Sequence, residues 1–376
     1  MVVRSVEGLY MRSCTRRTSR QRGFVLIASA IAAVLVIGAV GMAIDLGRMF
    51  VVKTESQNFV DSTSIDAAAE LDGTTAGLAR AAGAPLRSNQ KFDLGQHAFQ
   101  EIDTRFALAP EGPWVELASA STRSRFVRVT ATTRPRLYFL PLLVSQERAT
   151  VAATAAAAQV EKTSFREGLF PFSPFAHDLS DPIHFGLVPG GTYTLRWPAN
   201  PRLPNSGGQG SNMCPDDRTQ QILDLAQALG GEERGFIEQT SASVIRQTVI
   251  NDYQSVYRQI GDIVEMTGGA KQTILDALQT RINQDTDSNS FYYADYREGG
   301  RGNGRRIVGV PINDGGTPPG ANLRMVGIGA FFLRPTGQYG NGGNQAWCAE
   351  YIGSWVQGVN HSGVEQSGAW AVRLVQ

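Results

Sequence analysis

One uncharged run of 21 residues, from Phe24 to Ile44, constrains this chain more than any other feature. At about 1.5 Å of rise per residue, a helix of this length reaches about 31 Å, which matches the hydrocarbon core of a bilayer. Arginines precede the run, and Asp45 ends it. The run therefore predicts either one membrane-spanning helix or an export signal.

Charges on the two sides of the run predict its orientation. Residues 1–22 contain six arginines and one glutamate, whereas residues 45–72 contain six acidic and two basic residues. Positive segments beside a spanning helix stay on the cytoplasmic side. We therefore expect a single-pass inner-membrane protein with a cytoplasmic N-terminus and the bulk of the chain in the periplasm or outside the cell. A cleaved signal peptide is the alternative, because Ala39-Val40-Gly41 has the small residues that signal peptidase accepts.

Composition beyond the run is that of a soluble globular body. The 376 residues carry a net charge of +1, 18% of them are charged, and no long run of lysine or arginine occurs. Nucleic acid is therefore not an expected partner.

The predicted topology separates the three cysteines. Cys14 falls on the reducing side, which leaves Cys214 and Cys348 as an even pair in the oxidising compartment. We expect one disulfide between these two. Two unpaired thiols are the alternative, because spacing along the chain does not show that the cysteines meet.

The helical pattern continues beyond the apolar run. Residues 46–71 contain no proline and one glycine, Gly47, and one face carries Val60, Ser64, Ala67, Ala68 and Leu71 at three- and four-residue steps. This pattern predicts one continuous helix of about 45 residues. Its outer part would project from the bilayer as a stalk.

The order of motifs in this segment resembles the N-terminal segment of TadG-like Flp pilus assembly proteins. The motifs are Arg22-Gly23, the apolar run, Asp45-Leu46-Gly47-Arg48, Gln57-Asn58 and Asp61-Ser62-Thr63-Ser64-Ile65-Asp66-Ala67-Ala68-Ala69. Two departures are Ser56 before Gln57, where leucine is usual, and the serine-rich stretch 62–64, where alanine is usual. The resemblance implies a non-catalytic role in building, docking or anchoring an adhesive Flp-type pilus, with the bilayer, other pilus-assembly membrane proteins and pilin subunits as partners.

Two groups of residues in this segment are candidate sites. Arg22, Gly23, Asp45 and Arg48 would mark the membrane boundary, with Asp45 solvated and Arg48 paired to it or to lipid phosphate. A helix-interaction face would comprise Gln57, Asp61, Asp66, Ala67 and Ala68, because small residues permit close approach of helices. The alternative is that the alanines merely favour helix.

Two other classes of protein remain open. Arg22-Gly23-Phe24 resembles the cleavage site of type IV prepilins, although Ala28 stands where those pilins carry glutamate, so a minor pilin-like subunit cut between Gly23 and Phe24 is one alternative. An exported enzyme or binding protein that uses the helix only as a tether is the other.

The rest of the chain indicates an α+β fold class. Strand patterns cover 126–132 and 149–160, helical patterns cover 220–229, 241–260 and 272–282, and strand patterns return at 307–312, 326–333 and 369–375. The predicted parts are a basic cytoplasmic tail (1–22), the transmembrane helix and stalk (23–72), a β-containing outer domain (73–162) and an α+β C-terminal domain whose role the sequence does not indicate (163–376).

Chemical motifs are weak throughout, so we expect no enzyme and no cofactor. No Gly-x-Ser-x-Gly occurs, and the histidines have no metal-ligand spacing; His177-Asp178 in a loop is usually just solvated. Some TadG-like proteins contain a von Willebrand A domain, but the hydroxyls after Asp61 do not match its metal motif.

One segment is a weak candidate for calcium. Asp285, Asp287 and Asn289 place oxygen ligands at alternate positions, as a calcium loop begins. Ser290 stands where the turn glycine belongs, and Tyr296 stands where the closing glutamate belongs. A solvated turn after a helix is the alternative.

Overall fold

The computed structural model describes residues 22–142, 145–204, 210–230, 233–237, 241–268, 272–364 and 368–375. The predictions for the basic tail, including Cys14, lie outside these described residues. Six α-helices occur within the described ranges: α1 Arg22–Ala69, α2 Thr75–Arg87, α3 Gln220–Ala228, α4 Ala242–Asn251, α5 Gln272–Asn283 and α6 Tyr293–Gly299.

The strands of the described ranges follow in chain order. They are β1 Lys91–Phe92, β2 His97–Ala98, β3 Glu101–Ala107, β4 Phe126–Thr133, β5 Val151–Glu161, β6 Ser164–Phe165, β7 Thr192–Arg196, β8 Glu233–Ile237, β9 Arg258–Gln259, β10 Ile263–Val264, β11 Met266–Gly268, β12 Ile307–Asn313, β13 Leu323–Leu333, β14 Trp347–Gly353, β15 Trp355–Gln357 and β16 Ala369–Leu374. Short 3-10 turns include Leu140–Leu142 and Pro215–Asp217.

Helix α1 is one uninterrupted helix of 48 residues, which confirms the predicted continuous helix. The apolar residues of its first half, from Phe24 to Ile44, are almost all exposed. Among the described residues, α1 is the one helix long and apolar enough to cross a membrane. An apolar surface of this extent is unfavourable in water, and a helix whose backbone groups are paired internally is compatible with lipid.

The outer half of α1 packs on a five-stranded sheet, so it is not surrounded by solvent as a projecting stalk would be. The strand order is β15-β16-β5-β4-β3, antiparallel except for the parallel pair β15 and β16. One buried cluster joins Phe59, Val60 and Ala67 of α1 to Val129 of β4 and Ala155 of β5. An apolar stripe at three- and four-residue steps needs such a covering surface, and the alanines of β5 let the helix approach closely.

A second five-stranded sheet forms most of the C-terminal part. Its order is β10-β13-β14-β7, with β12 also paired to β13. Helices α4 and α5 share one buried cluster with this sheet, and α3 and α6 share another. The predicted α+β order is confirmed, with helices and strands close to their predicted positions.

Helix α4 is shorter than predicted. The pattern over 241–260 indicated one helix, but α4 ends at Asn251, where Asp252 adopts a left-handed conformation with φ 57°. Residues 258–259 instead form β9, which pairs with β6. Pairing between distant segments decides this region, and no local pattern reveals it.

The last strands of the chain return to the first sheet. β15 and β16 belong to the same sheet as β4 and β5, with Trp370 paired to Glu161 and Leu374 paired to Ala157. This sheet therefore contains strands from both sides of residue 162. The domain boundaries after residues 22, 72 and 162 stay predictions.

Candidate membrane-boundary site

Asp45 is the centre of the membrane-boundary residues, and it is buried. Its side chain is not solvated as expected, because the residue is 1% exposed. The carboxylate accepts the backbone N–H groups of Tyr138 (3.0 Å), Phe139 (2.8 Å) and Leu140 (2.7 Å). The sequence could not reveal these partners, which lie more than ninety positions along the chain. Asp45 therefore ties the end of the apolar run to the segment between β4 and β5.

Arg48 makes a second tie to the same region. Its guanidinium pairs with Asp93 at 2.7 Å, donates to the Arg136 carbonyl at 3.3 Å and lies over the Tyr138 ring at 4.4 Å. The partner is thus Asp93, where the sequence indicated Asp45 or a lipid phosphate. Glu55 also accepts the backbone N–H of Asp93 at 2.6 Å. These contacts hold α1 to the globular part just beyond the apolar run.

Arg22 and Gly23 lie at the first two positions of α1. Their assignment to the inner membrane boundary stays a prediction, since their side chains are outside what the structure describes.

The predicted helix-interaction face is largely occupied within the chain. Ala67 and Ala68 are fully buried with the alanines of β5, so they are not available to a partner helix as expected. Gln57 donates to Asp61 at 2.8 Å and to the Thr154 carbonyl at 3.4 Å. Asp66 is exposed. The close approach that small residues permit is used here for helix-to-sheet packing.

Gln159 is a structural residue that the sequence analysis missed. It is 2% exposed, and its amide donates to the carbonyls of Ala68 (3.1 Å) and Leu71 (2.7 Å) at the end of α1. Its oxygen accepts the Val364 N–H at 3.2 Å. The sequence did contain a sign of this role, because Gln159 is a lone polar residue directly after the run Ala155–Ala158. A polar group that is buried with such a run needs hydrogen-bond partners.

Charged residues next to the end of α1 form a local network. Asp72 accepts from the Thr74 N–H at 3.0 Å and pairs with Arg80 at 2.8 Å, and Arg80 also pairs with Glu70 at 2.8 Å. Burial alone would raise the pKa of the Asp72 carboxyl, but the hydrogen bonds from Thr74 and Arg80 outweigh it and lower that pKa below its ordinary value.

An open polar cleft of about 700 Å³ lies beside this network. Its lining includes Asp66, Glu70 and Arg80 from the N-terminal part and Arg297 and Asn303 from the C-terminal part. Charged side chains of both signs line it.

Cys214 and Cys348 are joined by a disulfide, as the even pair predicted. Cys214 precedes the 3-10 turn Pro215–Asp217, and Cys348 lies in β14 beside Thr194 of β7. The bond therefore holds this turn against one edge of the C-terminal sheet.

The candidate calcium segment has its carboxylates engaged by the protein itself. Asp285 is buried and accepts from the Tyr296 hydroxyl at 2.8 Å and from the Arg306 N–H at 2.9 Å. Asp287 accepts from the Ser290 hydroxyl at 2.6 Å, and Asn289 is exposed. Within the described ranges, no group of three or more histidine, cysteine, aspartate or glutamate side chains could hold a metal ion. Calcium binding here stays a prediction.

His177 contacts a different carboxylate from the one that the sequence indicated. Its Nε2 lies 2.8 Å from an oxygen of Asp217, whose other oxygen accepts the Thr194 N–H at 2.6 Å. Neighbouring Asp178 instead accepts from Ser180 at 2.7 Å. The His177–Asp217 contact links a loop to the 3-10 turn beside the disulfide.

Comparison with known proteins gives one finding, and it concerns α1. A family model described as Putative Flp pilus-assembly TadE/G-like matches residues 23–70. Searches of curated proteins and of solved structures gave no significant match. The match covers the apolar run, the boundary residues Asp45 and Arg48, and the part of α1 that packs on the sheet. The match confirms that residues 23–70 are similar to the TadE/G-like Flp pilus-assembly family, and the apolar half of the matched helix is long and apolar enough to cross a membrane.

Proposed function

We propose that this chain is a non-catalytic assembly component of a Flp-type, tight-adherence pilus system. It is anchored in the inner membrane by α1, with a cytoplasmic N-terminus and its globular part in the periplasm or outside the cell. The proposal rests on one observation. The family match, residues 23–70, coincides with a helix whose apolar run is almost all exposed up to Ile44 and whose outer part is held to the globular part from Asp45 onward.

The contacts at the boundary suggest how such a component works. Asp45, Arg48 and Glu55 fix the globular part to the helix near its exit from the apolar run. Force or displacement applied to the globular part is then transmitted to the membrane helix. A component that docks other pilus-assembly proteins or pilin subunits needs this kind of rigid attachment.

The surfaces that bind partners are expected away from Ala67 and Ala68, since those residues are buried. Within the bilayer, the exposed face of residues 24–44 is available to other membrane helices. Beyond it, the exposed residues Asn58 and Asp66 mark the side of α1 that does not face the sheet.

A minor pilin-like subunit is the second candidate. If the chain is cut between Gly23 and Phe24, the exposed apolar half of α1 becomes a free N-terminal helix that copies of the subunit could bury against one another. The N-terminal sequence and intact mass of the membrane-extracted protein distinguish the candidates. A start near Met1 supports the anchor, a start at Phe24 supports the pilin-like subunit, and a start near Met42 contradicts both.

The anchoring role is tested by complementing a strain that lacks the chain, which we expect to make no pili. Gly38→Arg places a charge inside the span, where it costs up to about 2.5–3.5 kcal/mol. The variant should release the protein from membranes or block export, and pili should not return. Gly47→Arg is the matched control, because Gly47 lies beyond Asp45 with open space around it. Membrane retention of the Gly38→Arg protein would contradict the spanning helix, and pili without the chain would contradict the assembly role.

A further inference from the structure

We propose that the loop of residues 138–141 enters the outer leaflet of the bilayer beside α1 and forms a second, interfacial membrane contact. Asp45 holds this loop in place. The inference rests on the crossing of the membrane by α1, which belongs to the proposed function, and it does not depend on the pilus role.

The depth of the loop follows from its contacts along α1. Lys53 of α1 contacts the Ala152 carbonyl at the start of β5. The connection between β4 and β5 runs beside the helix from there towards the apolar run, and its contacts in that direction are Arg48 with the Arg136 carbonyl, Asp45 with the Tyr138 N–H, and Gly41 with Phe139. Each contact is closer to the membrane than the one before it. The loop therefore continues past the residue that ends the apolar run.

Gly41 sets how far the loop reaches. Gly41 is buried in an otherwise exposed apolar segment, and a Cβ at this position would lie 2.7 Å from the Cβ of Phe139. Gly41 precedes Asp45 by one helical turn, or about 6 Å along the axis. If the apolar run lies in the hydrocarbon core, Phe139 lies below its outer edge, at the depth of about 5–10 Å typical of interfacial segments.

The backbone N–H groups of residues 137–140 all have partners, which lowers the cost of placing the loop at the interface between lipid and water. An unpaired backbone N–H becomes costly as it leaves water. The Leu137 N–H donates to the Glu147 carbonyl at 2.9 Å, and those of Tyr138, Phe139 and Leu140 donate to Asp45. Proline follows at position 141 and has no N–H to satisfy. One carboxylate thus pairs three N–H groups that would otherwise be costly to bury.

The side chains suit the interface between lipid and water. Tyr138 is 54% exposed and Phe139 is 37% exposed; Phe139 lies against Gly41 in the apolar run, and the Tyr138 ring lies against Arg48 just beyond it. Tyrosine is favoured at the headgroup level, where its ring is buried and its hydroxyl stays hydrated. Arg136 is exposed two residues earlier and can reach lipid phosphates from the aqueous side. This continuity with the spanning helix identifies lipid as the partner of the loop.

The test measures the depth of a label at position 139 in the full-length protein. Phe139→Cys is made in a Cys14→Ser background, labelled with an environment-sensitive fluorophore and reconstituted in phosphatidylcholine vesicles; Cys214 and Cys348 stay in their disulfide. Quenching by nitroxides on the lipid acyl chains is compared with quenching by aqueous iodide. We expect nitroxide lipids to quench the label and iodide to leave its fluorescence unchanged.

Two reference positions separate failure of this inference from failure of the spanning model. Val36→Cys lies in the apolar run and reports the crossing, and Leu179→Cys is an exposed apolar position in the C-terminal part that should be quenched by iodide. Lipid quenching at position 36 with iodide quenching at position 139 would overturn the loop alone. Iodide quenching at position 36 would overturn the crossing itself. Protection of position 139 from both quenchers would indicate a protein contact and would also overturn the lipid contact.

A second variant tests the part played by Asp45. Asp45→Ala removes the acceptor of the three N–H groups, so the label at position 139 should become accessible to iodide while the label at position 36 stays in lipid. Asp66→Ala is the matched control, because Asp66 lies exposed on the same helix. If Asp45→Ala leaves the label at position 139 in lipid, Asp45 does not hold the loop.

Discussion

At the scale of single residues, Asp72 connects the end of α1 to α2. Its side chain is 1% exposed, and its partners are Thr74 and Arg80. Gly77 makes room for it, because a Cβ at that position would lie 2.1 Å from a carboxylate oxygen of Asp72. The charge of Asp72 therefore contributes to stability only where the carboxyl is ionised.

Asp72→Asn should destabilise the protein at neutral pH and have less effect in acid. The pKa of the Asp72 carboxyl is lowered in the folded protein. Its contribution to the free energy of unfolding is therefore complete above the ordinary carboxyl pKa of about 3.9, and it is lost as the pH falls through the pKa of the folded state. At pH 7 we expect a loss of about 1–3 kcal/mol in the free energy of unfolding. Unfolding of the full chain in detergent as a function of pH measures this.

Asp66→Asn is the control for this prediction, since Asp66 is exposed. It should leave both the stability and its pH dependence unchanged. If Asp72→Asn costs the same stability at neutral pH and throughout the acid range in which the protein stays folded, the effect comes from shape and not from charge.

At the scale of elements, α1 combines two different surfaces in one helix. Its first half presents apolar side chains all round, as a spanning helix does, and its second half has one buried stripe and one exposed side. The stripe was visible in the sequence as residues at three- and four-residue steps. The sequence did not show what covers the stripe. A periodic stripe identifies a buried face, but it leaves open whether a sheet, a helix or a second chain buries that face.

Ala67→Leu should destabilise the protein by about 1–3 kcal/mol, because the cluster that contains Ala67 and Ala155 has no space for a larger side chain. Asn58→Leu on the exposed side of α1 is the matched control and should change stability little. Thermal unfolding of the two variants measures the difference. An Ala67→Leu protein with unchanged stability but no pilus assembly would instead favour a partner helix at this face.

At the scale of the whole molecule, two long-range connections join segments that are far apart in the chain. The disulfide joins positions 134 residues apart, and β16 returns to the sheet that covers α1. Cross-linking over so long a loop restricts the unfolded chain strongly. The disulfide and the returning strand therefore both act on parts of the chain far apart in sequence.

Cys348→Ser should lower the free energy of unfolding by about 2–5 kcal/mol, and reductant should have the same effect on the unmodified chain. Thermal unfolding with and without reductant measures this, with Cys14→Ser as the control that should show no change. Alkylation of Cys214 and Cys348 in denatured, unreduced protein would contradict the bond.

The sequence by itself determined the extent of α1, its capacity to cross a membrane, the α+β order and the even pair of cysteines. Each of these features depends on a local property of the chain. The uncharged run and the absence of proline from 22 to 69 determine α1, periodicity determines the order of helices and strands, and the number of cysteines beyond the run determines the pair. Only the tertiary structure decided that Asp45 binds the N–H groups of 138–140, that Ala67 faces the chain's own sheet, and that β16 completes that sheet. These are pairings between segments far apart in the chain, and local patterns show which groups need a partner without specifying where along the chain it lies.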